Sequence, residues 1–138
     1  MKSATLFTEV SDQLNLLYQH IEDDAIDYNN QKLLPHKLSE YGPGIAVGDI
    51  NVDGLDDFVM TGSYPNTATL FFQEKTGKYS TRSLIDLRSA KKEVADEMSP
   101  LLFDADNDGD LDMIVNNNNM PSFIFKNKSR EWNGNHYL

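Results

Sequence analysis

The sequence predicts a mainly β fold: two blade-like antiparallel repeats, with room for one short helix. Three observations predict it. From Gly44 onward the chain is a series of short apolar runs separated by Gly, Asn and Asp clusters, the pattern of strands and tight turns. Two nine-residue loops, DINVDGLDD at 49–57 and DADNDGDLD at 104–112, carry one acid-and-glycine pattern. The flanking runs recur with the loops: Asp49 to Asp104 is a shift of 55 residues, and at that shift DFVM at 57–60 falls on DMIV at 112–115. A period of this size suits β-propeller blades better than one compact sandwich.

Taken in order, residues 1–40 form a leader packing on the repeats. Ser11 there can cap a short helix through Leu14, Leu16, Leu17 and Ile21, although LNLLYQHI serves equally as a strand. YGPG at 41–44 is a turn. Residues 41–95 make the first repeat, with strands at IAVGD (45–49), DFVMTG (57–62), ATLFFQ (68–73) and KYSTRSLI (78–85). Good helix formers at 89–98 predict one short helix. Residues 96–128 make the second repeat, with strands at LLFD (101–104), DMIVN (112–116) and SFIFKN (122–127). LFFQ at 70–73 aligns with FIFK at 123–126 at a shift of 53, so the second copy should have a connecting loop two residues shorter. Residues 129–138 are a polar tail.

Composition narrows the partners. With 39% hydrophobic residues among 138, the chain has enough apolar side chains for one folded domain. Its formal charge of -10, from 22 acids against 12 Lys and Arg, opposes nucleic acid and anionic membrane surfaces. There is no cysteine, so thiols say nothing about compartment. No apolar run has the length of a signal peptide or a membrane span, which predicts a soluble chain without membrane insertion, any export signal lying outside these residues.

Nine of the 22 acids fall in the two loops. Carboxylates crowded this closely repel unless a cation sits among them. In the first loop Asp49, Asn51, Asp53 and Asp57 hold positions 1, 3, 5 and 9, with Gly54 at 6 and the Leu55 carbonyl at 7. The second repeats this with Asp104, Asp106, Asp108, Gly109, the Asp110 carbonyl and Asp112. Calcium takes six to eight hard oxygens in a flexible shell, which this spacing supplies. An EF-hand would need a bidentate Glu at position 12 on a helix, whereas Met60 and Val115 stand there inside β runs. Metal-free Asp/Asn/Gly turns are the bland alternative, and two loops with matched positions and matched strands speak against it. Magnesium prefers fewer carboxylates and zinc lacks Cys and His partners. The second loop, with four carboxylates to three, should bind more tightly, and both at extracellular-type affinities of about 10⁻⁴–10⁻³ M.

The segments GPGIAVGDINVDGLDDFVMTG and SPLLFDADNDGDLDMIVNN resemble the FG-GAP/VCBS repeats of integrin-like β-propellers. YGPGIAVGDINVDGLDD and NKSREWNGNHYL are similar to VCBS-repeat proteins that carry an ASPIC/UnbV domain. The resemblance implies structural calcium at the blade edge, ligand contacts elsewhere, and a secreted or envelope-attached protein. Such propellers have about seven blades, against two repeats here. That leaves three expectations: a fragment, homo-oligomeric copies that close a ring, or a leader and tail that complete a smaller β-fold.

Catalysis finds little footing. His20, His36 and His136 sit in unrelated contexts, and Glu9, Glu22, Glu40, Glu93 and Glu97 form no pattern for glycoside cleavage. Trp132, near Asn133 and Asn135, can stack on a sugar but is better read as packing. The sequence therefore predicts a non-enzymatic calcium-binding module with a protein or glycan partner. The alternative is a glycan-binding accessory domain of a carbohydrate-processing or uptake system.

Overall fold

The computed structural model describes residues 6–21, 32–33, 42–63, 66–84, 97–117 and 123–127. The one helix among them, α1 (Ser11–Leu14), is a single turn. Seven strands follow: β1 (Ile45–Gly48), β2 (Asp57–Met60), β3 (Thr69–Gln73), β4 (Tyr79–Ser83), β5 (Glu97–Phe103), β6 (Asp112–Asn117) and β7 (Phe123–Phe125). They form two antiparallel sheets, β1-β2-β3-β4 and β5-β6-β7, each a meander in sequence order. The fold is mainly β, as the apolar runs predict.

Three details differ from expectation. Ser11 does not cap a helix reaching Ile21: the cap position is Val10, without a side-chain bond, and Asn15 at φ 60 ends the turn. One uncapped turn cannot offset the cost of helix nucleation, so Leu16–Ile21 continue as neither helix nor strand. Glu97 and Met98, placed at the end of the expected helix, instead open β5; residues 89–96 lie outside the described set. Finally, the strand pairing fixes the offset between the copies. Val59 pairs with Leu70 and Ile114 with Ile124. Val59 to Ile114 is a shift of 55, but Leu70 to Ile124 is one of 54, so the second β2–β3-type connection is one residue shorter and not two. Matching LFFQ to FIFK by residue kind slips one position, and a one-residue slip would exchange the faces of the strand.

The two sheets pack face to face. Ile50, Val59, Ala68, Leu70 and Leu84 of the first meet Met113 and Val115 of the second, all at most 1% exposed, with Ala46, Phe72 and Leu102 around them. Gly44 sits where β1 passes β5: a β-carbon there would run into the Met98 carbonyl oxygen and lie 2.7 Å from Pro100 Cδ. Polar groups seal this seam. Thr61 Oγ1 accepts from Gly44 N (2.7 Å) and donates to the Met98 carbonyl (3.1 Å), and Glu97 N donates to the Gly62 carbonyl (3.2 Å). The buried Glu97 carboxylate accepts from Gly62 N (3.4 Å) and from Ala68 N, so a residue of the second repeat holds the β2–β3 connection of the first.

On its other face the first sheet is aromatic. Phe58 stacks on Phe71 at 4.4 Å, Tyr79 meets Phe58 edge-on at 5.3 Å, and Tyr18 lies edge-on to Phe71 at 5.5 Å. Asn15 Nδ2 donates to the Tyr79 carbonyl at 3.0 Å.

Candidate metal centre

Both acidic loops join the first two strands of their sheets, at the same end of each. A backbone that turns this sharply needs positive φ, and it occurs at the same two places in each loop. Val52 (φ 59) and Asn107 (φ 60) hold position 4; Gly54 (φ 86) and Gly109 (φ 92) hold position 6. Glycine adopts that conformation without a β-carbon clash. Position 1 then collects the amides the turn exposes. Asp49 accepts from Asp53 N (3.0 Å) and Gly54 N (2.8 Å), and Asp104 from Asp108 N (3.1 Å) and Gly109 N (3.0 Å). Position 5 repeats the theme one step on, Asp53 accepting from Leu55 N and Asp108 from Asp110 N.

Position 9 behaves differently. Asp57 and Asp112 are fully buried. Asp57 accepts from Ile50 N (3.1 Å) and Gln73 N (2.8 Å); Asp112 accepts from Ala105 N (2.9 Å) and Asn127 N (2.8 Å). Each therefore ties its own loop to the end of the third strand. Burial raises the Asp57 pKa above the ordinary aspartate value, against the pull of the Gln73 and Ile50 amides.

In the second loop one carboxylate oxygen from each of Asp104, Asp106 and Asp108 lies within 4.8 Å of the other two. Oxygens on opposite sides of a calcium ion are about 4.6–5.2 Å apart, twice the usual bond length, so these three fit a single calcium shell. Lys126 Nζ sits 3.4 Å from Asp106 Oδ2. Asp110 Oδ1 is buried without a hydrogen-bond partner. The Asp110 carboxyl is pushed up to about 6, first by burial, then by its hydrogen bond to Asp108 and the charges of Asp108, Asp112 and Asp106. The first loop differs because Asn51 replaces an acid: its Nδ2 donates to Asp53 Oδ2 at 3.1 Å, an amide standing where like charges would otherwise meet.

Two residues outside the predicted set join the two repeats into one unit. Asn127, 2% exposed, donates from Nδ2 to the Ile50 carbonyl of the first loop (2.8 Å) while its backbone N–H holds Asp112 of the second. Glu97 makes the equivalent link at the far end of the seam. Neither has a sequence signal beyond being a polar residue at the edge of an apolar run. Trp132, His36 and His136 lie outside the described residues.

No curated protein and no solved structure matches this chain. The two loops and the strands between them do match a known repeat: residues 49–115, from Asp49 of one loop into β6 beyond the other, fit the family model described as the FG-GAP-like repeat.

Proposed function

We propose that this chain is a non-enzymatic, calcium-stabilised β-repeat module of a secreted or envelope-associated protein, in which the ion holds the hairpin loops in shape for contact with a partner. The observation that carries the reading is the convergence of Asp104, Asp106 and Asp108. Asp112, the Asp110 carbonyl and water complete that shell; Asp49, Asn51, Asp53, the Leu55 carbonyl and Asp57 form a weaker one. A carboxylate has about four lone-pair sites, so Asp57 and Asp112 keep capacity for an ion while accepting two amides. Millimolar affinities suit an extracellular setting, where calcium is abundant. No helix among the described residues is long and apolar enough to cross a membrane.

Calcium at about 100 times its dissociation constant should add roughly 2.7 kcal/mol, a rise in melting temperature on the order of 10 °C for a chain of this size. Asp108→Ala should lose most of that rise with little change in chelator. An equal melting temperature in 10 mM calcium and in chelator would refute the reading. The pH dependence has two opposite signs. Without calcium, the raised Asp110 pKa means the fold binds more protons than the unfolded chain, so this group's contribution is present at low pH and is lost as pH rises from about 4 through 6. With calcium nearby, the ion favours the ionised form of the Asp110 carboxyl, so the calcium-dependent rise should shrink as that group takes up its proton below about 6.

The glycan-binding alternative gains support from one feature. A cleft of about 240 Å³ is lined by Tyr18, Gln19, His20, Asn66, Thr67 and Ser83, an aromatic wall facing amides and hydroxyls without a formal charge. A neutral sugar suits that lining. Glycan-array binding abolished by Tyr18→Ala would favour this second reading, and an empty array would remove it.

A further inference from the structure

Within the molecule, one sheet face covers another, and the strand pairing shows which positions do so. The row Ala46–Val59–Leu70 of the first sheet is turned toward the second. The row that meets it contains Leu102 and Met113, with Val115 two residues further along the same face of β6. Moving each row by one repeat gives the faces that remain. Leu101, Ile114 and Ile124 stand in the second sheet where Ala46, Val59 and Leu70 stand in the first, and they again form one cross-strand row. Yet Leu101 is 56% and Ile124 38% exposed. On the first sheet, Ile45, Val47, Phe58 and Met60 occupy the positions of Pro100, Leu102, Met113 and Val115, and Ile45 and Val47 are 59% and 62% exposed.

We propose that the Leu101–Ile114–Ile124 face takes the Ile45/Val47 face of a second copy of this chain, repeating between molecules the contact that the two sheets make within one. The apolar rows of the two faces stand in the same order along their strands as the counterparts that pack within the molecule, although Ser99 and Phe103 stand where the first sheet has Gly44 and Gly48, so the second contact is wider at that edge. Tyr18 packs on Phe71 in β3 of the first sheet's outer face, while Ile45 and Val47 in β1 stay exposed. The contact joins two different faces, so it is head-to-tail, and a pair of copies retains one free face of each kind. Each copy carries a formal charge of -10, which opposes approach, so association driven by these apolar faces should strengthen as salt screens that repulsion. The inference does not depend on an ion in the loops.

Sedimentation equilibrium of the full chain, from micromolar to near-millimolar concentration and in low and high salt, tests it. The expected result is a mass rising with concentration from the 15.6 kDa monomer, more steeply in high salt. Leu101→Asp and Val47→Asp each place a charge on an already exposed position, so both should fold, as circular dichroism can check. Each alone should stay monomeric. Mixed, they should form a 1:1 dimer and nothing larger, since one keeps the intact first-sheet face and the other the intact second-sheet face. A monomeric wild type throughout, self-association unchanged by Leu101→Asp, or variants that fail to complement when mixed would each overturn the proposal.

Discussion

Glu97→Ala should destabilise the chain by about 2–6 kcal/mol and loosen the seam between the two sheets. The carboxylate is 4% exposed and accepts the amides of Gly62 and Ala68, both buried in the connection between β2 and β3. Removing it leaves two buried donors without those acceptors, at about 1–3 kcal/mol each. A single domain has only about 5–15 kcal/mol in total, so the midpoint of urea unfolding should fall by a large fraction. Both amides donate to the same oxygen, Oε2, so the carbonyl oxygen of Glu97→Gln can accept both, and this variant should stay much closer to wild type than alanine, losing only the contribution of the charge. A variant as stable as wild type would show that water replaces the carboxylate, and that the seam is held by Thr61 and the apolar core alone.

Glu97 also marks the limit of what the sequence makes legible. The strands that show alternation or a bounded apolar run, β1 to β4 and β6, are readable because solvent on one side and the core on the other impose a period of two. The loops are readable because a turn this sharp needs glycine at position 6 and side-chain acceptors at fixed spacing for the amides it exposes. Glu97, by contrast, follows a run of good helix formers and opens a strand because its partners, Gly62 and Ala68, lie some thirty residues earlier. Local propensity carries no trace of a partner that distant. Asn127 is hidden for a related reason: it offers a backbone N–H to Asp112 and a side-chain N–H to the Ile50 carbonyl, and a backbone group leaves no residue signature. The one-residue error in aligning β3 with β7 has the same origin, since Phe123 resembles Leu70 in kind while Ile124 matches it in face.

Asp112→Ala and Asp106→Ala should separate the two kinds of acid that one loop contains. Asp106 is exposed, and its described contact is the 3.4 Å pair with Lys126. Exposed pairs of this kind contribute about 0–1 kcal/mol. Its removal should therefore leave the melting temperature in chelator almost unchanged and reduce only the increment that calcium adds. Asp112 is fully buried and holds Ala105 N and Asn127 N. Losing two hydrogen bonds to a charged acceptor, with the Asn127 donor left in the interior, should cost about 3–5 kcal/mol whether or not calcium is present. It should also release the carboxamide of Asn127 from its place on the Ile50 carbonyl, so amide hydrogen exchange should quicken in the first loop as well as the second. Asp112→Asn should not rescue this, because its N–H₂ would face one of the two donors that the second carboxylate oxygen now accepts. On the proposed reading an ion would act on a loop already anchored at position 9: Asp57 and Asp112 hold the hairpins through the amides they accept, and Asp104, Asp106 and Asp108 would respond to the metal. Equal losses for Asp106→Ala and Asp112→Ala in chelator would show instead that the loop stands or falls as a single charge cluster.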